Sequence, residues 1–359
     1  MEKTRIGIVG TGWRAGFFLR AAKMLPELFE VVGIAYHSES SREKAAQWGY
    51  PVFDSYVKLA QEAKPDYMIV SVSRKGGAAR GIVEELAQLG MPVLMETPPA
   101  DTLEDLIDFY KKCATAKIQV AEQYQFQPMI AARIAVANSG QLGNVYQSRY
   151  QLPNGYHSIS VHRKTLGVGM ALPKVWGTQY EHDRMSAPGR GGDPEAEEMV
   201  HVKQMVFHLD YGDKQAFNDL EGDQCRAWIR KEHYNIRGDR GEVYDDDVYY
   251  MEEYLTPVHY RLERMMTGAG TNLEGEFLRG VRGQEGWVYL NPFMPARMFD
   301  DEIAVATCMV KMAEYVQGGE AFYSLAEAMQ DRYLALLTVQ SAQEGRVLQA
   351  EKQIWMEEA

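Results

Sequence analysis

Short apolar runs alternate with amphipathic stretches through the first 122 residues, and no other feature limits the possible fold so strongly. Helical patterns such as 78–90 return an apolar residue to one face every three or four positions. The runs between them are apolar on both faces, and they predict strands over 5–10, 29–36, 66–73, 92–95 and 117–122. Strands of this kind, alternating with amphipathic helices, indicate a parallel sheet covered on both sides.

The turn after the first strand carries a glycine pattern, "GIVGTGWRAG". Gly10 permits a tight turn, Gly12 lets a pyrophosphate approach the backbone, and Ala15 is small enough for a helix to pack on the strand. The helix N-terminus adds amide donors and the positive end of a dipole. Its position after the first strand of a strand–helix repeat makes this pattern a dinucleotide fingerprint. We therefore predict a Rossmann domain that binds NAD or NADP.

The end of the second strand leaves the choice between these two cofactors open. An NAD site usually has an acid there for the ribose hydroxyls, but this chain has Tyr36 and His37, and Glu39 comes late. Nearby hydroxyl and basic groups favour a 2′-phosphate instead, namely Ser38, Ser41 and Arg42. The alternative is that these residues only begin a helix, with Ser40 or Ser41 as its cap.

Length and composition narrow the class of protein. A chain of 359 residues suits two domains. The net charge of −12 argues against a nucleic-acid partner. The three cysteines are far apart and form no CxxC pair, so we predict neither a zinc site nor disulfides, and no metal site. No apolar run reaches the roughly 18 residues that span a membrane, and the N-terminus lacks a signal-like apolar region. We therefore expect a cytoplasmic protein.

The pattern changes from about residue 123. A helix is predicted from Pro128 to Gly140, followed by an alternating strand over 145–152. Two hairpins are predicted over 199–220 and 225–243, and they turn at 212–213 and 238–239. The segment 183–198 is predicted to be a surface loop, and helices close the chain.

Alternating strands of this kind predict an open, mainly antiparallel sheet with helices on one face. The other face needs cover from helices or from another subunit. The predicted domains are thus an α/β Rossmann domain, 1–122, and an α+β domain, 123–359.

Specific stretches of the chain resemble the Gfo/Idh/MocA family, which is named after glucose–fructose oxidoreductase, inositol dehydrogenase and MocA. The resemblance covers nearly the whole chain. It rests on "GIVGTGWRAG", "VLMETPPA", "VAEQYQFQP", "GYHSISVHRKTLG" and the tail "YSLAEAMQDRYLALLTVQSAQEGRVL". It implies hydride transfer between a nicotinamide and a sugar or polyol carbon, with a pocket that contains a lysine, an aspartate and a histidine. The histidine serves as the proton acceptor near neutral pH, and the lysine stabilises the alkoxide.

Carried over by position, the resemblance leaves one of these three groups in place. His157 matches the family's histidine, but Thr97 stands at the lysine position and Pro153 at the aspartate position. Ser160 replaces a further acid. Lys164 lies two helical turns beyond His157 on the same face, so it is a candidate to replace the lysine.

These considerations give three groups of predicted site residues, each with a structural alternative. His157 is alternatively a packing or capping residue, and Arg163 and Lys164 are alternatively solvated or structural. Glu96 is expected to support its turn rather than to act as a base. The predicted catalytic residues are His157, Thr97 and Lys164. The predicted cofactor contacts are Gly10, Thr11, Gly12, Trp13, Arg14, Tyr36, His37, Arg42, Ser73, Glu96, Thr97 and Gln123. The predicted substrate contacts are Tyr124, Tyr156, His157, Arg163 and His182.

Three functions remain open at this stage. The first is an NAD(P)-dependent oxidoreductase acting on a sugar, sugar acid or cyclitol. The second is a glycoside-cleaving enzyme that oxidises its substrate transiently before elimination, as some members of the family do. The third is a non-catalytic relative that binds nucleotide or sugar. Relatives commonly pair through the open sheet, so a homodimer or homotetramer is expected.

Overall fold

A six-stranded parallel sheet forms the first part of the computed structural model, which describes residues 2–72, 77–152, 155–222, 224–267 and 275–356. Its strands are β1 (Thr4–Val9), β2 (Phe29–Ala35), β3 (Val52–Phe53), β4 (Tyr67–Val70), β5 (Val93–Met95) and β6 (Ile118–Val120). The helices between them are α1 (Ala15–Met24), α2 (Glu39–Gln47), α3 (Tyr56–Lys58), which continues as a π-helical turn over Leu59–Ala63, α4 (Ala78–Gln88) and α5 (Leu103–Cys113).

The strand order β3-β2-β1-β4-β5-β6 places the loops that follow β1, β4 and β5 at one edge of this sheet. The order reverses between β1 and β4, and ligands of such sheets bind at this kind of reversal, beyond the carboxyl ends of the strands. The predicted parallel sheet is confirmed. The short edge strand β3 was not predicted, because two residues carry no periodicity.

The described residues of the second part form twelve further strands and four α-helices. The strands are β7 (Val145–Tyr150), β8 (Lys174–Met185), β9 (Met199–Asp210), β10 (Gln215–Asn218), β11 (Tyr234–Gly238), β12 (Gly241–Tyr244), β13 (Asp247–Glu253), β14 (Thr256–Arg261), β15 (Glu263–Thr267), β16 (Phe277–Arg282), β17 (Trp287–Leu290) and β18 (Leu348–Gln349). The helices are α6 (Pro128–Asn138), α7 (Gly155–Leu166), α8 (Asp300–Val316) and α9 (Leu325–Glu344).

Nine of these strands form one sheet in the order β14-β13-β12-β11-β7-β10-β9-β8-β18. All neighbours in it are antiparallel except β7 and β10. The strands β15, β16 and β17 form a separate antiparallel sheet. The prediction of a mainly antiparallel sheet domain is therefore confirmed.

The two faces of the nine-stranded sheet differ sharply. The inner face is a row of fully buried neighbours that runs through Val175, Leu209, Ala216, Ser148, Ile236, Val243 and Val248. Helix α9 packs so closely here that a Cβ on Gly177 would come 2.1 Å from the carbonyl oxygen of Thr338. The alternate positions on the outer face expose large aromatic side chains, namely Trp176, Tyr180, Tyr244 and Tyr249.

Two predictions for this part of the chain were wrong in detail. The predicted loop 183–198 begins later, because β8 continues to Met185 in antiparallel pairing with β9. Opposite charges face each other across these strands, with Asp183 paired to His201 at 2.8 Å and Glu181 to Lys203 at 3.0 Å. The hairpin turns near 212 and 239 are confirmed, but residues 225–233 precede β11 without forming a strand.

His162 is the titratable core residue that links α7 to the sheet. It is fully buried, and its Nδ1 lies 2.7 Å from the hydroxyl of Ser148 on β7. Burial lowers its pKa from 6.5 to about 3. The folded protein therefore binds fewer protons at this site than the unfolded chain between these two values. Stability from this group is complete above pH 6.5 and is lost as the pH falls toward 3.

The change His162→Asn should remove this pH dependence. We expect the wild-type free energy of unfolding to fall by about 1.4 kcal/mol more per pH unit than that of the variant, between about pH 6.5 and pH 5. Urea titrations across this range measure the two slopes. The exposed His259 provides the control, His259→Asn, which should keep the wild-type slope. Equal slopes for wild type and His162→Asn would contradict the assignment.

Candidate active site

A cleft of about 1460 Å³ opens at the carboxyl edge of the parallel sheet. Its walls come from the loops after β1, β2, β4, β5 and β6, from His157 on α7, from Asp301 on α8, and from residues 189–190, 220, 222, 225 and 226. Typical small-molecule pockets have volumes of roughly 300–1,000 Å³. The cleft therefore has room for a large ligand together with a smaller one.

The fingerprint loop lies in this cleft as predicted. Gly10 has φ +110°, and a Cβ there would come 2.3 Å from the carbonyl oxygen of Ser71, so only glycine fits. A Cβ on Gly12 would meet no described atom within 4 Å, so its backbone stays open to a ligand. Ala15 is fully buried at the start of α1. No described side chain caps this helix, and the amides of its first turn are left for a ligand.

Only one of the three residues predicted to contact the cofactor after β2 lines the described cleft. His37 lines the cleft, together with Ser38, Ser40, Ser41 and Lys44. Tyr36 and Arg42 do not, among the residues described. The backbone N–H of Tyr36 pairs with Phe53, and Arg42 pairs with Glu39 at 2.9 Å along α2.

The alternative prediction for these residues, that they begin a helix, is confirmed, but the predicted capping residue was wrong. Helix α2 is capped by Ser38 rather than by Ser40 or Ser41, and Ser41 reciprocates from the third helical position. Lys44 was missed, although it lies four residues after Ser40 and therefore on the same side of the helix.

An ion-pair cluster occupies the floor of the cleft. The Arg14 guanidinium contacts Glu96 and Asp301, each at 2.7 Å. Burial by itself lowers the pKa of Arg14, but attraction to these two carboxylates outweighs it, and the net pKa is raised. The hydroxyl of Thr97 donates to Glu96 at 3.0 Å, and its backbone N–H donates to the same carboxylate. Glu96 thus ties the "ETPP" turn to the fingerprint loop.

His157 points into the cleft beside a buried acid that the sequence did not single out. Its Nδ1 lies 2.6 Å from Oε2 of Glu122, whose side chain is 0% exposed, against 12% for His157. The Tyr124 ring lies against the imidazole at a tilt of 33°, with centroids 4.5 Å apart. Burial raises the pKa of Tyr124, and the carboxylates of Asp301 and Glu122 raise it further. One signal was available in the sequence: an acid at the end of an apolar strand needs a partner when it is buried.

Besides Tyr36 and Arg42, four predicted site residues lie outside the described cleft walls. Lys164 pairs with Glu327 at 2.7 Å, and Arg163 pairs with Asp331 at 2.6 Å. Six or seven residues along a helix amount to about 10 Å, which carries both side chains away from His157. Tyr156 is buried on the core side of α7, and His182 pairs with Glu221 at 2.9 Å.

The remaining predicted residues either line the cleft or lie outside the described residues. Those that line it are Gly10, Thr11, Gly12, Trp13, Arg14, His37, Glu96, Thr97, Gln123, Tyr124 and His157. Ser73 lies outside the residues that the structure describes. Across the cleft, Arg190 lies over the Trp13 ring at 4.5 Å, and Cys225 and Arg226 add to the wall. These three residues were not predicted, because loop positions carry no periodic signal.

Neither a metal cluster nor a membrane helix is found in the described ranges. No group of three or more His, Cys, Asp or Glu residues there is arranged to hold a metal ion. Within the same ranges, no helix has both the length and the apolar character needed to cross a membrane.

Comparison with known proteins identifies the class. Residues 4–124 match the model of the Gfo/Idh/MocA oxidoreductase family, described by its NAD-binding Rossmann fold. Together with the fingerprint cleft, this match defines an oxidoreductase that binds a nicotinamide dinucleotide. The match covers the nucleotide-binding part, so residues 4–124 are similar to the Gfo/Idh/MocA family. No curated protein sequence matches it.

Solved structures share the fold over nearly the whole chain. An oxidoreductase from Agrobacterium radiobacter, in complex with NAD+, L-tartaric acid and magnesium, covers 97% of this chain and 98% of its own at 16% identity, with a TM-score of 0.67. A putative myo-inositol dehydrogenase from Sinorhizobium meliloti 1021 covers 97% and 100% at 16% identity, with a TM-score of 0.66. A levoglucosan dehydrogenase in complex with NADH covers 98% and 100% at 15% identity, with a TM-score of 0.70.

The described residues fit a nicotinamide dinucleotide. Gly12 leaves room for a pyrophosphate next to the first-turn amides of α1. At the other end of the cleft, Gln123 is 4% exposed, and its Oε1 has no hydrogen-bond partner among the described residues. A buried acceptor without a partner is costly, and the carboxamide N–H of a nicotinamide is a suitable donor for it.

Proposed function

We propose that the protein transfers a hydride between NAD or NADP and a hydroxyl-bearing carbon of a sugar, sugar acid or cyclitol. The observation that carries the proposal is a histidine, His157, in the same cleft as the dinucleotide fingerprint. The substrate class is supported by the fold neighbours, which include myo-inositol and levoglucosan dehydrogenases.

His157 is proposed to exchange the hydroxyl proton of the substrate. Its imidazole has one nitrogen toward Glu122 at 2.6 Å, which leaves the other for the substrate. A bound nicotinamide would supply the hydride acceptor or donor. Thr97 replaces the family's lysine, and because its hydroxyl donates to Glu96, it offers a substrate hydroxyl a lone pair rather than a positive charge. Lys164 is not proposed for this role, since it pairs with Glu327.

A panel of sugars, sugar acids and cyclitols tests the proposal. The purified protein is incubated with each compound and with NAD+ or NADP+, and reduced nicotinamide is followed by absorbance. Net formation of NADH or NADPH is the expected result. Cleavage of a glycoside without net reduction would replace the proposal with transient oxidation and elimination. Cofactor binding without any turnover would indicate a non-catalytic relative.

The cleft wall after β2 favours NADP over NAD. The only carboxylates among the described lining residues are Glu96 and Asp301, so no acid faces the ribose end. Lys44 and the hydroxyls of Ser38 and Ser40 line that end instead, and these groups suit a 2′-phosphate.

Replacing Lys44 with alanine should therefore weaken NADPH binding selectively. We expect the dissociation constant for NADPH to rise about 5- to 10-fold, since Lys44 is exposed to solvent, and that for NADH to change little. Fluorescence titration measures both constants. Arg42→Ala on the same helix is the matched control and should leave both unchanged. A loss of NADPH affinity in Arg42→Ala but not in Lys44→Ala would restore the contact predicted from sequence.

The outer face of the nine-stranded sheet is proposed to bind a second copy of the chain. It carries the exposed rings of Trp176 and Tyr180 on β8, toward one end of the sheet, and of Tyr244 and Tyr249 on the adjacent strands β12 and β13, toward the other end. Light scattering should give a mass at least twice that of one chain. Tyr249→Asp should reduce this mass, whereas Tyr254→Asp, at the exposed β13–β14 turn, should not. A monomeric wild-type protein would contradict the proposal. Location in the cytoplasm and the division at residue 122 stay predictions.

A further inference from the structure

We propose that Glu122 is the positioning residue for His157: it accepts the Nδ1 proton and so leaves Nε2 as the base that faces the cleft. This inference rests on the proposed function, in which His157 handles the substrate proton. It assigns the orienting role to a residue for which the resemblance implies no acid, since the family's aspartate falls at position 153, where this chain has Pro153.

The contacts of Glu122 hold its carboxylate in a single place. Oε2 lies 2.6 Å from Nδ1 of His157, and Oε1 accepts the backbone N–H of Tyr124 at 3.3 Å. The side chain is 0% exposed. Water therefore cannot compete for the acid, and both of its oxygens have protein partners. Glu122 lies two residues after the end of β6, so the parallel sheet fixes its position relative to the fingerprint loop.

The chemistry of the partner decides the tautomer of the imidazole. A neutral histidine carries one N–H, and an ionised carboxylate only accepts hydrogen bonds. With Glu122 facing Nδ1, the proton sits on Nδ1 and the lone pair on Nε2. This is the state that a base for a substrate hydroxyl needs. If the base becomes protonated during alcohol oxidation, the same carboxylate stabilises the imidazolium.

The hydrogen bond between Glu122 and His157 connects two parts of the fold. Glu122 belongs to the end of the nucleotide-binding part, and His157 belongs to the helix that follows β7. Their hydrogen bond therefore joins the two walls of the cleft. The Tyr124 ring, from the segment that Glu122 begins, covers one side of the imidazole and limits its rotation.

The first test reads the tautomer without any turnover. Nitrogen chemical shifts of the His157 imidazole, assigned with His157→Ala, are measured in the cofactor-free protein at a pH where the ring is neutral. We expect the proton on Nδ1 in the wild type, and on Nε2 in Glu122→Gln, whose amide can donate to Nδ1. A wild-type ring protonated on Nε2 would overturn the proposal, whatever the activity of the protein.

The second test is a double-mutant cycle on the reaction. We expect Glu122→Gln to lower kcat by about 10²-fold or more with KM and cofactor affinity little changed, and to cause no further loss in the His157→Ala background. Glu122→Asp keeps the acid and should recover part of kcat. Glu30→Gln removes an acid from an exposed pair with Arg5 and serves as the control.

The outcomes separate this inference from the proposed function. An equal loss from Glu122→Gln in wild-type and His157→Ala backgrounds would overturn the positioning role and leave hydride transfer intact. Absence of turnover in the wild type would instead remove the proposed function, while the tautomer measurement would still decide the role of Glu122. If Glu122→Gln fails to fold, the wild-type tautomer and the kcat of Glu122→Asp still test the positioning role of Glu122.

Discussion

Replacing His157 with alanine is expected to lower kcat by about 10²- to 10⁴-fold, the usual contribution of a positioned acid or base. His157 is the histidine that faces the cleft from α7, and its Nδ1 is already engaged by Glu122 at 2.6 Å. The methyl group of alanine cannot take the substrate proton. The dissociation constant of the cofactor should stay within about threefold, because the fingerprint loop is untouched.

Steady-state kinetics on the best substrate from the panel, together with a cofactor titration, measures both quantities. His201→Ala, on the exposed β8–β9 hairpin, is the control and should retain wild-type kcat. An unchanged chemical step in His157→Ala would show that His157 only packs or caps α7, which is its structural alternative.

Replacing Arg163 with methionine is expected to destabilise the fold by about 3–5 kcal/mol. Its ion pair with Asp331 spans 2.6 Å, and the two side chains are 5% and 0% exposed. The change leaves a buried carboxylate without its cation, although Tyr323 still donates to Asp331. Arg163 also donates to the carbonyl of Gly169 at 2.8 Å, so the start of the following loop loses a contact as well.

The neighbouring residue supplies a matched control for this stability measurement. Lys164→Met breaks the pair with Glu327, whose side chains are 35% and 23% exposed, and should cost no more than about 1 kcal/mol. Urea denaturation gives both free energies of unfolding. A raised KM with unchanged stability in Arg163→Met would contradict the structural role and restore Arg163 as a substrate contact.

The sequence predicted the parts of the fold that rest on local periodicity. Strands β1, β2, β4, β5 and β6 are apolar on both faces, so their pattern marks a buried parallel sheet without reference to the rest of the chain. The turn at Gly10 was predictable as well, because the whole glycine pattern lies within one short stretch of sequence.

Contacts that depend on tertiary placement were not predictable in this way. Glu122 and His157 are 35 residues apart, and the local sequence of neither segment predicts the contact between them. The sequence also does not show how α7 is oriented relative to the cleft. Lys164 was therefore predicted on the cleft side, whereas in the structure it pairs with Glu327. The strand β8 continues into a segment rich in glycine and charge because β9 supplies complementary charges from across the hairpin.

The most direct test of hydride transfer in this cleft uses deuterium. The protein is incubated with NAD+ or NADP+ and a panel of polyols and sugars that carry deuterium on every hydroxyl-bearing carbon. Mass spectrometry then measures whether the reduced nicotinamide contains deuterium. The proposed function predicts deuterium in the nicotinamide with wild-type protein and a strongly reduced rate with His157→Ala. Cofactor that binds the cleft yet never gains deuterium from any compound would contradict it.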